Sequence, residues 1–241
     1  MALNSNDKEV FICFSFSTIS DAHLLAKQFN AKIAKASYEI LHNKEPDALK
    51  DVVFPNSYSN VMLKMPQGIA FCPMRYRLRP FDSESEVPTK YNLYNARVET
   101  LLEKQTWGRL LGRKHVAVPL TKFHEWVPTE NGKKVVQFKI PSLQIFWVAG
   151  LFDIWKGEDQ NSNIISFALI TQEPNDYIQS VGHDRCPIII DENETRNWLE
   201  ISQQATALEF LTKKRDYEFS HEWEDPMFTI AQQVKFGKID Q

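Results

Sequence analysis

The sequence predicts a single α+β domain, with a strand-rich core of mixed, barrel-like or two-sheet form and flanking helices. The chain has 241 residues, of which 43% are hydrophobic and 24% charged, as is typical of a globular protein with a sizeable core. Short apolar runs rich in aromatic and β-branched residues recur along it and favour strands. No internal repeat or linker divides the chain. We therefore expect residues 13–241 to form one domain.

Composition also limits the function. Three cysteines at wide spacing, with no C-x-x-C pair, suit a reducing compartment and argue against a disulfide framework or a zinc site. No apolar run reaches the length of a membrane span, and no signal peptide is evident. The formal charge of −3 means that any nucleic acid must bind to a local patch. The expectation is a cytoplasmic protein with no cofactor, metal or membrane partner.

The first predicted element is an apolar strand over residues 10–17, with Cys13 in the middle. Most buried cysteines are small core hydrophobes, and the strand alone favours that interpretation. A helix is predicted over residues 21–33. Residues 43–67 have a weak pattern broken by three prolines, which predicts mostly loop with short strands.

An arginine-rich segment follows. Arg75, Arg77 and Arg79 alternate with Tyr76 and Leu78, so a strand here would project all three guanidinium groups to one face. Two interpretations stay open: a solvated edge strand whose charges discourage aggregation, or a stripe that faces phosphates. In the second case Tyr76 is available to stack on a base.

The second half of the chain alternates strands and helices. A helical stretch is predicted to run to about Leu111, and Asn131-Gly132 predicts a hairpin turn. Strands are predicted over residues 115–120, 135–140, 144–155, 164–171 and 188–190, and helices over 175–181, 192–199 and 205–211.

Two isolated polar residues lie beside apolar strands. Glu125 stands between aromatic residues, where partial desolvation suits a carboxyl group to acid–base catalysis; the commoner alternative is an exposed charge at a strand end. His183 lies in a Gly-His-Asp-Arg turn. It either moves protons near neutral pH or forms a hydrogen bond with Asp184.

A third candidate is the pair Asn95 and Arg97, which share one face of an extended segment. Arg97 either grips a phosphate with both nitrogens or pairs with Glu99 or Glu103.

Taken together, these pieces closely resemble the SOS-response-associated peptidase (SRAP) family of abasic-site processing proteins. The matching segments, in family order, are Cys-Phe at residue 13, Asn-Ala-Arg-Val-Glu-Thr at 95, Phe-x-Glu-Trp at 123, residues 149–155, Thr171, and His-Asp-Arg-x-Pro at 183. Residues 76–80 stand where the family usually has Trp-Gly-Leu-Ile-Pro. The resemblance covers roughly residues 13–200 and implies an SRAP-like fold.

The resemblance implies a monomer that traps abasic sites in single-stranded DNA. In the family the cysteine is the mature N-terminus; its amine forms an imine with the ring-opened sugar and its thiol closes a thiazolidine. Cys13, Asn95, Glu125 and His183 match the catalytic positions. Arg97 and Thr171 match DNA-contacting ones, and the arginines at 75, 77 and 79 are further candidates.

Residues 1–12 precede Cys13 and must be removed to free its amine, by self-cleavage or otherwise. An α-amine is roughly a tenth to a fifth neutral at pH 7, several hundredfold more than lysine. Should residues 1–12 stay attached, the alternative function is non-covalent binding of single-stranded DNA.

Overall fold

The structure is a computed structural model that describes residues 15–130, 132–159 and 162–224. Cys13, the segment 1–12 that precedes it, most of the predicted first strand, and Asn131 of the predicted hairpin turn lie outside the described residues.

Fourteen strands and six helices are described. The strands are β1 Ser15–Ser17, β2 Lys32–Ile33, β3 Val52–Val53, β4 Tyr58–Met65, β5 Gly68–Tyr76, β6 Asn95–Arg97, β7 His115–Leu120, β8 Lys122–Thr129, β9 Gly132–Lys139, β10 Phe146–Trp155, β11 Ile164–Gln172, β12 Cys186–Pro187, β13 Ile189–Ile190 and β14 Ser220–Trp223. The helices are α1 Ala22–Gln28, α2 Lys35–Lys44, α3 Gln105–Gly108, α4 Asp176–Val181, α5 Thr195–Glu200 and α6 Gln204–Thr212.

The strands form two sheets, and part of the larger one closes on itself. A five-stranded sheet has the order β14-β9-β8-β1-β3, and a nine-stranded sheet contains the path β12-β11-β10-β7-β4-β5-β2. A parallel pairing of β5 with β11, with Arg75 opposite Ser166 and Tyr76 opposite Phe167, closes five strands of that path into a ring. The predicted α+β class with a barrel-like core is confirmed.

Both faces of the ring are apolar. Alternate residues of β4 and β5, such as Val61 and Met74, point to the interior core, whereas Phe71 points outward. Outside, Trp147 of β10 and Trp198 of α5 both belong to a second core. Two-sided burial explains why residues 144–155 and 164–171 are almost continuously apolar rather than alternating.

The prediction of mostly loop over residues 43–67 was wrong for β4. The run of hydrophobic residues in β4 is interrupted by the polar residues Ser59 and Asn60, which are both fully buried. The amide of Asn60 donates to the carbonyls of Ile19 and Ser20 and accepts a hydrogen bond from Tyr38, at 3.1, 2.8 and 2.8 Å. A buried polar residue satisfied by distant partners hides a strand from any hydrophobic pattern.

The helix predictions were right in the C-terminal half and weaker before it. Asn175 caps α4 by accepting from the backbone N–H of Ile178 at 3.0 Å, and the left-handed Gly182 ends it. The helix predicted over 21–33 ends at Gln28, and the stretch before Leu111 contains only short turns and the four-residue α3. No helix among the described residues is long and apolar enough to cross a membrane.

Candidate functional site

The centre of the candidate site is a buried pair formed by Glu125 and His183. Glu125 lies in β8 and His183 follows α4, with 1% and 3% of their surfaces exposed. Oε2 of Glu125 is 3.0 Å from Nε2 of His183, and Nδ1 of His183 donates to the carbonyl of Arg185 at 2.9 Å. Glu125 is therefore not an exposed charge at a strand end. The polar groups that contact the His183 ring are those of Glu125 and Arg185, rather than a hydrogen bond with Asp184.

This pair keeps His183 positively charged. Burial alone lowers the pKa of the imidazole, but the charge and hydrogen bond of Glu125 outweigh it and raise the pKa to about 9. At neutral pH His183 is therefore an imidazolium, which can donate a proton. Oε1 of Glu125 is buried and has no hydrogen-bond donor among the described residues, so it remains able to accept one.

The two described cysteines are poor nucleophiles. Burial, followed by the negative charge of Glu125, raises the pKa of the Cys186 thiol far above its usual range. Burial raises the pKa of Cys72 to about 11. Both therefore stay as thiols at neutral pH, and the thiolate is the reactive form. In addition, no cluster of three or more His, Cys, Asp or Glu side chains in the described part of the chain is arranged to hold a metal ion.

Asn95 and Arg97 lie on β6, beside β11. In this parallel pairing Asn95 is opposite Leu169 and Arg97 is opposite Thr171. Asn95 is buried and Arg97 half-buried. No carboxylate among the described residues forms an ion pair with Arg97, and Glu99, one of its two predicted partners, binds Arg185 instead.

The Glu99–Arg185 contact is bidentate, with Nη1 and Nη2 of Arg185 at 3.0 and 2.9 Å from the two carboxylate oxygens. Burial raises the pKa of Glu99, but this hydrogen bond and charge bring it below its usual range. Nη2 of Arg185 also donates to Oγ1 of Thr171 at 3.3 Å. Thr171 is completely buried, so its hydroxyl group supports Arg185 and does not face solvent.

Two open cavities meet at Arg97. One, of about 320 Å³, is lined by Asn95, Arg97 and Lys104. The other, of about 620 Å³, is lined by Arg97, Gln179 and His183. The structure thus places Asn95 and His183 on either side of an arginine that has no acidic partner among the described residues.

The segment at residues 75–80 differs from its prediction. Tyr76 is completely buried, with its ring 5.3 Å from Phe167 and 5.1 Å from Phe16. A ring held in the core is not available to stack on a base, so Tyr76 belongs to the packing of the barrel. β5 ends at Tyr76, and the next residue, Arg77, has φ of +98°. This left-handed conformation costs a non-glycine residue roughly 1–3 kcal/mol.

Because the strand ends there, the three arginines do not form an exposed face. Each is at least 91% buried, and Glu86 from the following loop pairs with Arg75 and Arg79. Burial raises the pKa of Glu86, but the hydrogen bond and charges of these arginines bring it below its usual range.

Sequence reasoning missed a histidine next to Glu125. Nδ1 and Nε2 of His124 each lie 3.2 Å from a serine hydroxyl, of Ser15 and Ser17 respectively, so this imidazole ties β1 to β8. Burial, followed by the charge of Lys122, lowers the pKa of His124 to about 4. In the sequence, Ser15 and Ser17 alternate with Phe14 and Phe16, which indicates that the two serines share one face of a strand. That pattern does not show that the neighbouring strand is β8 or that His124 lies between the two serines.

Comparisons with known proteins agree with these motifs. The family described as SOS response associated peptidase (SRAP) matches residues 12–224. The abasic site processing protein YoqW of Bacillus subtilis is 25% identical over 191 residues, covering 78% of this chain and 80% of that protein. The abasic site processing protein YMR114C of Saccharomyces cerevisiae is 28% identical over 189 residues, covering 73% of this chain and 49% of that one.

Solved structures show the same fold. A crystal structure of a protein from Bacteroides thetaiotaomicron superposes with a TM-score of 0.74 at 21% identity, covering 90% of this chain and 94% of that chain. A protein from Bordetella bronchiseptica gives a TM-score of 0.67 at 16% identity, covering 88% and 100%.

Proposed function

Because this chain belongs to the SOS response associated peptidase family, we propose that it recognises abasic sites in single-stranded DNA and captures the ring-opened sugar covalently through Cys13. The observation that carries the proposal is the buried ion pair of Glu125 and His183, 3.0 Å apart, on strands and turns beside β1.

The short separation along the chain supports the assignment of Cys13 to this pair. Cys13 precedes Ser15 by two residues, which span at most about 7 Å. Ser15 is opposite His124 in the pairing of β1 with β8, and Glu125 is the next residue of β8. Because this separation is short, we assign the amine and thiol of Cys13 to the chemistry at Glu125.

The chemistry uses the two members of the pair in different roles. The neutral amine of Cys13 attacks the aldehyde carbon, Glu125 accepts one proton from the nitrogen, and His183 gives one to the oxygen, which forms a carbinolamine. Glu125 passes its proton to His183, which protonates the hydroxyl group so that it leaves as water. Glu125 then accepts the second proton of the nitrogen, which gives an imine. The Cys13 thiol adds to the imine carbon, and its proton goes to the nitrogen as the thiazolidine closes. A positioned acid or base typically contributes about 10²–10⁴ in rate.

The same pair serves to release the amine. Hydrolysis of the Ile12–Cys13 bond adds water to the Ile12 carbonyl and expels the Cys13 amine, a step that also needs a base for the water and an acid for the leaving nitrogen. Glu125 and His183 supply both.

Arg97 is the residue that we assign to the DNA backbone. A half-buried guanidinium with no carboxylate partner among the described residues, between two open cavities, suits bidentate binding of a phosphate. We assign Asn95, which lines the adjoining cavity, to the sugar oxygens.

The proposal is tested by mixing the protein with a single-stranded oligonucleotide that carries one abasic site. Intact mass first establishes that the Cys13 amine is free. We expect an adduct that survives denaturation and is absent for Cys13→Ala, whereas Cys186→Ala still forms it. No adduct from protein with a free Cys13 amine overturns covalent capture and leaves non-covalent DNA binding.

A further inference from the structure

The three arginines at the end of β5 carry more positive charge than the described residues around them neutralise. Arg75, Arg77 and Arg79 have 9%, 6% and 9% of their surfaces exposed. Among the described residues the one carboxylate in ion-pair contact with them is that of Glu86. Burying charge that has no counter-charge is costly, so a cluster of this kind is stabilised by binding an anion.

The geometry around Glu86 is that of an anion site. Nη1 and Nη2 of Arg75 lie 2.6 and 3.2 Å from the two oxygens of the Glu86 carboxylate, and Nη1 of Arg79 lies 3.3 Å from Oε1. The guanidinium of Arg77 donates to the carbonyl of Val87, the next residue of the loop. Paired guanidinium groups of this kind match phosphate oxygens as well as carboxylate oxygens.

In this site one guanidinium group is held in place by an aromatic ring, and two N–H donors have no acceptor among the described residues. The guanidinium of Arg79 lies over the ring of Trp155, 3.5 Å from its centroid, which fixes its orientation. The Nε atoms of Arg75 and Arg79 are buried and have no acceptor among the described residues. A phosphate offers more acceptor oxygens than the carboxylate that is now there.

The anion within the site belongs to an accessible loop. The Glu86 side chain is 45% exposed, whereas those of Arg75 and Arg79 are 11% and 10% exposed. The carboxylate therefore lies at the mouth of the cluster, where it can leave without disturbing the barrel.

We propose that Arg75, Arg77 and Arg79 form a phosphate-binding site, which Glu86 fills until a phosphodiester group of single-stranded DNA displaces it. The choice of DNA as the ligand rests on the proposed function. Arg75 is opposite Ser166 of β11, and Arg97 is opposite Thr171 of the same strand. Ser166 and Thr171 are five residues apart, which is about 17 Å of strand. A strand bound at Arg97 reaches the second site within a few nucleotides.

The test compares two variants that remove the same charge from the same loop. Glu86→Gln empties the site of its carboxylate. Glu84→Gln changes an exposed residue that, in the described part of the chain, forms no ion pair with the arginines. The probe is undamaged oligothymidylate of about 15 nucleotides, and binding is followed by fluorescence anisotropy between about 50 and 200 mM salt.

We expect Glu86→Gln to bind about tenfold more tightly than Glu84→Gln at the lowest salt. Its slope of log affinity against log salt becomes steeper by about 0.7 for each added phosphate contact. Adding Arg75→Gln to Glu86→Gln removes both effects. If Glu86→Gln does not fold, Glu86→Asp, which withdraws the carboxylate by one methylene, gives the same directions.

Equal affinities and slopes for the Glu86 and Glu84 variants overturn the proposal, as does a failure of every variant to bind the oligonucleotide. Inorganic phosphate forms the second arm. If it raises the melting temperature of Glu86→Gln while oligothymidylate binding is unchanged, the site takes free phosphate and the DNA assignment falls. Since undamaged DNA carries no aldehyde, neither result bears on adduct formation by Cys13.

Discussion

Replacing Glu125 with Gln tests the charge state of His183 and its contribution to stability. In the wild-type fold the pKa of His183 is about 9, against 6.5 for an unperturbed histidine. Each tenfold change in proton affinity corresponds to about 1.4 kcal/mol, so the folded state gains about 3 kcal/mol from protonated His183. The imidazole is 3.0 Å from a carboxylate and almost completely buried, so solvent screens this contact little.

The sign follows from the raised pKa. A folded state that binds the proton more tightly than the unfolded chain gains the full stabilisation below pH 6.5 and loses it as pH rises through 9. In Glu125→Gln the charge and hydrogen bond of Glu125 are gone, so burial lowers the pKa of His183 below its wild-type value against the remaining raising effects of the Arg185 carbonyl and Asp184. The loss of stability between pH 6.5 and 9 is then smaller than in the wild type.

The assay is urea unfolding of both proteins below pH 6.5 and above pH 9, with the His183 ring followed by NMR. His115 is an internal control, because burial lowers its pKa to about 4 and it should not titrate in this range. Glu99→Gln is the matched variant, since it removes a carboxylate that contacts Arg185 and not His183. A His183 signal that titrates at or below pH 6.5 in the wild type refutes the reasoning.

Three further predictions concern Arg97, the buried ring of Tyr76 and the two buried cysteines. Arg97→Gln should weaken binding of undamaged single-stranded DNA, measured by anisotropy, and reduce the slope of log affinity against log salt by about 0.7. Arg113→Gln, at an exposed arginine, should change the affinity and the slope less. Tyr76→Ala should destabilise the fold by about 3–5 kcal/mol in urea unfolding because its ring is completely buried; an unchanged stability contradicts its place in the core. Cys72 and Cys186 should resist iodoacetamide until the protein unfolds, as judged by mass spectrometry, since burial raises the pKa of both thiols.

Local signals in the sequence were enough for many elements. Asn175 and Gly182 mark the two ends of α4, and the apolar runs at 144–155 and 164–171 correspond to β10 and β11. The segments at Asn95 and His183 were recognised from residue order alone. In each case the information lies within a few neighbouring residues, which is the range over which capping, turn and periodicity effects act.

Glu125 and His183 depend on contacts between residues that are far apart in the sequence. Each was a weak candidate by itself, and the sequence left open which of them is the acid or the base. Only the pairing of β8 with its neighbours and the turn after α4 bring the two side chains to 3.0 Å, with the raised pKa of His183 as the result.

The sequence by itself therefore determined the strand-rich class, most of its C-terminal elements and the family motifs. The tertiary structure decided which polar residues are buried and with what partners. Arg75 and Arg79 illustrate the reason, because their alternation predicted exposure while a carboxylate 7–11 residues away let them be buried. Burial of a charged group depends on a counter-charge, and no period within a strand specifies where that charge comes from.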